Sequence, residues 1–140
     1  MPRRRYVRNQ RLGDFNAWVD NELFAIERTL ASIPDTLAGE DVTGTTYTLA
    51  VGDQDKVLTT TNGSAVTITV PLHSNAPFEL GSMVYFYQEG AGQVTLVGDA
   101  TAPGVTVRSR PGLKSGGQYA LFFIWKQDDN VWVASGDLTT

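Results

Sequence analysis

The chain has 140 residues and a mass of 15.2 kDa, room for one domain with a real core and a short appendage but not for a second full domain. It has no cysteine and a single histidine, His73, which excludes disulfide staples and thiolate or multi-histidine metal sites; 41% apolar and 19% charged residues exclude a disordered chain, and no apolar run approaches the roughly 20 residues that span a bilayer. The net charge of −4 is unevenly placed, with five arginines in the first eleven residues and fifteen acids against six Lys/Arg in the rest, and so acidic a body is poorly suited to binding phosphates.

Residues 1–12 form a basic arm carrying Arg3, Arg4, Arg5, Arg8 and Arg11. No signal-peptide apolar core follows it, so it does not read as a secretion signal. An arm of this charge docks on an acidic protein surface or touches nucleic acid.

Residues 13–33 carry a helical pattern. Leu12, Asn16, Val19, Leu23, Ile26, Leu30 and Ile33 recur at alternating spacings of four and three, a heptad seam that Pro34 ends. A helix of about 20 residues is marginal alone in water, so its apolar stripe needs cover. The helix either packs on its own β domain or pairs with copies of itself, with Asn16 setting the register. Phe15, Trp18 and Phe24 widen the apolar surface to suit a bundle or a docking site on a larger partner.

Residues 34–44, "PDTLAGEDVTG", read as a polar hinge. After it the period changes to two over 45–140. Eight short runs rich in Val, Thr, Ile, Tyr, Phe and Trp ("TTYTLAV", "KVLTTT", "AVTITV", "SMVYFYQE", "QVTLVG", "GVTVRSR", "YALFFIWKQ" and "VWVASG") predict strands. The fold expected from these patterns is an antiparallel all-β sandwich or barrel-like module preceded by an N-terminal α-helix.

The joints carry their own expectations. Asn62-Gly63 and Gly90-Ala91-Gly92 read as tight reversals between neighbouring strands, with glycine reaching positive φ. Asp128-Asp129-Asn130 reads as another turn, and "PGLKSGG" at 111–117 as a longer loop. In "ALFFIW" apolar side chains load both faces, which predicts a strand covered on both sides, the second cover being the helix, a loop or a neighbouring subunit.

Few residues of the chain stand in a pattern that carries chemistry. "EGAGQVTL" has two of the glycines of a dinucleotide fingerprint but Thr95 at the third position and a strand pattern where a helix is needed; no P-loop lysine follows. His73 lies in the polar "PLHSNAP", reads as a solvated histidine, and has no serine in a nucleophile-elbow setting to serve. Asp53 and Asp55 read as a solvated turn. No enzyme, cofactor or metal is expected. Tyr85 and Tyr87 on one strand face, with Tyr119 and Trp125, are candidate aromatic platforms for a glycan, or core and interface residues.

In their order, "TYTLAVGDQDKVLTTTNGSAVTITVP", "FELGSMVYFYQEGAGQVTLVG" and "GQYALFFIWKQDDNVWVASGDL" resemble a small β module recurring in tailed-bacteriophage tail fibres, head fibres and capsid decoration proteins. The resemblance covers about Thr45 to Leu138 and is most specific at Gly90 to Thr95 and Trp132 to Leu138. It implies a virion part, often trimeric, fastened by an N-terminal segment to capsid or tail proteins after assembly in the host cytoplasm. The short chain points to a head fibre, decoration or tail-appendage subunit, with Arg3 to Arg11, Phe15 and Trp18 docking on the particle and the heptad seam gathering a homotrimer. A host-attachment module binding a cell-surface glycan is the alternative; nucleic-acid contact through the arginines is the weaker one.

Overall fold

The computed structural model describes residues 37–140. The arm, the expected helix with its seam and docking residues, and the start of the hinge lie outside the described residues. The expected antiparallel module does not form. Among the described residues there is no α-helix, only a 3-10 turn at Val51–Asp53, and eleven strands make two sheets.

The strands are β1 (Ala38–Val42), β2 (Thr46–Thr48), β3 (Lys56–Thr60), β4 (Val66–Val70), β5 (Met83–Gln88), β6 (Val94–Gly98), β7 (Thr106–Ser109), β8 (Lys114–Ser115), β9 (Leu121–Asp128), β10 (Val131–Gly136) and β11 (Leu138–Thr139). All eight predicted runs contain a strand. β1 lies inside the predicted hinge, and β8 inside the predicted loop.

Successive strands alternate between the sheets except for β9 and β10, which are neighbours in one, giving a sheet of six strands in the order β1-β3-β5-β9-β10-β7 and one of five in the order β11-β8-β6-β4-β2. β1, β3 and β5 are parallel neighbours, as are β2, β4 and β6. The first six strands therefore wind as three stacked coils, each with one strand in either sheet, in a β-solenoid-like arrangement. Antiparallel pairing begins only beyond it, where β9 joins β5, β10 joins β9, β8 joins β6 and β11 joins β8. Alternation of apolar and polar residues reports which face is buried and is blind to the direction of the neighbour; that is why the runs were legible and their pairing was not.

The corners decide the winding. Thr43–Thr45, Thr61–Ala65 and Glu89–Gln93 each carry the chain from the six-stranded to the five-stranded sheet, one corner stacked on the next. Asn62 Nδ2 donates to Thr43 O at 2.9 Å, Gly90 N to Thr60 O at 2.9 Å and Gly92 N to Asn62 O at 3.0 Å. Neither Asn62-Gly63 nor Gly90-Ala91-Gly92 is a hairpin, and neither Gly90 nor Gly92 has positive φ. These two glycines serve close approach instead: a Cβ on Gly90 would meet the backbone of Thr61 and Asn62, and one on Gly92 the backbone of Ser64. Asp128–Asn130 does close an antiparallel hairpin, with Asp129 N–H donating to Asp128 Oδ1 at 2.8 Å and no left-handed residue in it.

One core fills the space between the sheets. Leu58, Val84, Phe86, Phe122, Ile124 and Trp132 face Val66, Ile68, Val70, Val94 and Leu96, all buried. Each large apolar side chain so buried contributes about 1.5–3 kcal/mol. Phe86 stacks on Phe122 at 5.1 Å, and Phe78 meets Trp132 edge-on at 5.2 Å.

Four of the buried polar side chains tie parts of the fold together by hydrogen bonds. Gln88 in β5 and Ser115 in β8 link the sheets: Ser115 Oγ donates to Gln88 Oε1 and accepts from Val94 N–H at 2.8 Å, while Gln88 Nε2 donates to Gly90 O at 3.0 Å. Asp53 accepts from Tyr47 Oη at 3.0 Å and from Ala50 N–H at 2.8 Å. Far from forming a solvated turn with Asp55, Asp53 is 3% exposed and anchors the 3-10 turn beneath β2. Lys126 holds the 71–82 connection, as described below. Among the described residues no buried side-chain nitrogen or oxygen lacks a partner.

Candidate functional site

The two sheets have unlike outer faces. On the five-stranded sheet the register aligns Thr46, Thr67, Thr95, Lys114 and Thr139 in one row across all its strands. Hydroxyls and an ammonium stand there towards water.

The six-stranded sheet presents the opposite chemistry. Its register sets Val57 beside Tyr85 and Phe123, Thr59 beside Tyr87 and Leu121, and Met83 beside Trp125 and Val133. All nine point away from the core, since their neighbours Leu58, Val84, Phe86, Phe122, Ile124 and Trp132 point into it. The result is an apolar and aromatic patch three rows long and three to four strands wide. Leu121 is 58% and Trp125 40% exposed, and nothing among the described residues covers the face. "ALFFIW" thus does load both faces of its strand, but in the described residues only the inner face is covered.

Of the candidate glycan contacts, Tyr85, Tyr87 and Trp125 share this face. The Tyr85 ring lies 6.1 Å from Phe123, tilted by 47°. Tyr119 stands at the head of β9, 65% exposed, its N–H bonded to Gln88 O at 2.6 Å and its backbone left-handed at φ 72°. Such a conformation costs an ordinary residue about 1–3 kcal/mol. Val57, Thr59, Met83, Leu121, Phe123 and Val133 complete the patch and were not among the candidates; the period-2 pattern of "KVLTTT", "SMVYFYQE", "ALFFIW" and "VWVASG" carried the signal.

A second cluster lies at one end of the core. Lys126, 1% exposed, donates from Nζ to Phe78 O at 2.7 Å and to His73 Nδ1 at 2.6 Å, 5.8 Å from the centre of the Trp132 ring. An ammonium has only donors, so Nδ1 accepts and the ring proton stands on Nε2, 3.9 Å from Asp129 Oδ1. Desolvation pushes the Lys126 pKa below the usual lysine value, against the pull of Asp129 and Asp128. His73 is therefore no loose surface histidine. It and Asn130, whose Oδ1 accepts from His73 N–H at 2.9 Å, tie the 71–82 connection to the β9–β10 hairpin. No serine or second base joins the cluster, so its chemistry is that of a clasp.

Among the described residues no three His, Asp or Glu side chains converge as a metal site, and no helix is long and apolar enough to cross a membrane. Comparison with protein-family models, curated proteins and solved structures finds no match.

Proposed function

We propose that this protein is a non-enzymatic structural component of a tailed-phage virion, a short head fibre, decoration or tail-appendage subunit assembled in the host cytoplasm. Its N-terminal segment fastens it to capsid or tail proteins, and its β domain faces outwards, in a homotrimer. The observation that carries the reading is the coil-stacked architecture, its buried side-chain polar atoms all partnered among the described residues, with an exposed apolar face suited to contact with another body. The resemblance at Gly90 to Thr95 supplies the virion context, and in the fold its first four residues, Gly90 to Gln93, belong to a corner on which the coils stack. Electron cryo-microscopy of intact particles tests the proposal: density for this domain on capsid or tail is expected, and a particle that lacks the protein refutes it.

One observation favours a second reading. Tyr85, Tyr87 and Trp125 on one sheet face offer large rigid aromatic area at low entropic cost, as a glycan platform requires. Retention on a glycan array that disappears in a folded Tyr87→Ala variant supports host attachment; silence across cell-surface glycans supports architecture.

A further inference from the structure

The outer face of the six-stranded sheet raises a question that the core does not: what covers it. We infer that a second copy of this chain does, with Tyr85, Tyr87, Leu121, Phe123 and Trp125 of each copy forming the contact.

Two sheets of one domain, built from strands of similar length, carry opposite outer chemistry: threonine and lysine on one, aromatic and aliphatic groups on the other. A face selected only for solubility would resemble the threonine face. The open area is also large. Applying the exposure of Leu121 and Trp125 and of their half-buried neighbours to ordinary large side-chain areas of about 150–250 Å² leaves on the order of 500 Å² of apolar surface open. That is at the upper end of what a monomer tolerates and more than half of the roughly 800 Å² that each partner buries in a stable interface.

The described residues hold ten Asp/Glu and five Lys/Arg, so two copies repel wherever their acids meet. Tyrosine is the only ionisable side chain among the nine residues of the patch, and the charges that continue its rows stand on the sheet's two edge strands, Asp41 beside Thr59 on β1 and Arg108 beside Val133 on β7, the latter bonded to Gln127 at 3.3 Å. This face is where copies approach without that penalty. Sheets packed face to face lie about 10 Å apart. Two copies about a two-fold axis or three about a three-fold axis both turn it inward. The inference rests on the architectural reading only for the expectation that copies associate, and names the surface through which they do.

Light scattering on the full chain tests it. The unaltered protein is expected at twice 15.2 kDa or more, Leu121→Lys with Trp125→Lys at 15.2 kDa with an unchanged circular dichroism spectrum, and Thr67→Lys on the opposite face at the unaltered mass. A monomeric unaltered protein, or an oligomer that survives the double substitution, overturns the inference. Should the double variant fail to fold, hydroxyl-radical labelling of the unaltered protein decides: raising its concentration from about 1 to about 100 µM must reduce labelling at Met83, Tyr87 and Trp125. Labelling independent of concentration overturns it, as does protection that appears only when glycans are added. An intact oligomer absent from virions sinks the virion reading and leaves this inference standing.

Discussion

Lys126 donates to His73 Nδ1 at 2.6 Å from inside the core, so a strand in the centre of one sheet is clasped to a connection that leaves the other. The pairing solves two problems at once. The 71–82 connection buries Leu72, Ala76 and Phe78 over the end of the core, and Phe78 O would be unpaired there without the ammonium. The lysine in turn finds acceptors where water is excluded.

Replacing Lys126 by alanine removes both bonds and the packing of its stem near Trp132. A buried acceptor left unsatisfied costs about 1–3 kcal/mol, and with the lost packing Lys126→Ala is expected to destabilise by about 2–4 kcal/mol. Urea denaturation at neutral pH measures it, and a loss under 0.5 kcal/mol would remove the clasp from the account.

The same lysine predicts a pH dependence. Its folded pKa is lowered from 10.5 by desolvation, so between the folded value and 10.5 the unfolded chain binds more protons. Its contribution to stability therefore grows as pH rises through that window and is lost as pH falls through the folded pKa. Lys126→Met should lack this rise, so the stability difference between unaltered protein and variant should widen as pH rises towards 10.5. A constant difference contradicts it.

Tyr47 acts in the opposite sense. Burial first, and then the Asp53 carboxylate, push its pKa up to about 12. The folded state keeps the phenol proton after the unfolded chain has released it near 10, so this contribution is complete below pH 10 and lost as pH rises to about 12. Tyr47→Phe abolishes that alkaline loss. At neutral pH it costs about 1.5–3 kcal/mol, the usual worth of a hydrogen bond to a charged group, and thermal denaturation across pH 7 to 12 reads both effects.

The stacked corners make a prediction about glycine. Gly90→Ala and Gly92→Ala drive a Cβ into backbone that cannot rotate away, and each is expected to cost 3 kcal/mol or more, beyond the usual 1–3 of overpacking. Gly63→Ala has open space and no positive φ, so it should stay within about 0.5 kcal/mol. Equal effects at Gly63 and Gly92 would refute the account of the corners.

Ser115 lies in a strand of two residues, yet its hydroxyl serves both Gln88 and Val94. Ser115→Ala leaves a buried amide oxygen and a buried N–H with one partner fewer, at a cost of about 1–3 kcal/mol. A melting temperature unchanged within error would show that the link between the sheets carries no energy.

What the amino-acid sequence determined by itself was local. β-branched and aromatic residues at period two placed a strand in each of eight runs, and "ALFFIW" announced a strand apolar on both sides. Tyr85, Tyr87 and Trp125 were legible as a group for the same reason, since alternation assigns faces without reference to partners. Tertiary structure alone decided that these strands wind as parallel coils, because direction depends on where a corner delivers the chain, and Gly90 and Gly92 act there through backbone contact with residues some thirty positions earlier. It also decided the fate of His73 and Asp53. Lys126, 53 residues away, engages Nδ1 of a His73 ring that stays partly exposed, and Tyr47, across a turn, shares the buried carboxylate of Asp53. Burial is a property of the whole packed chain, and no window of sequence contains it.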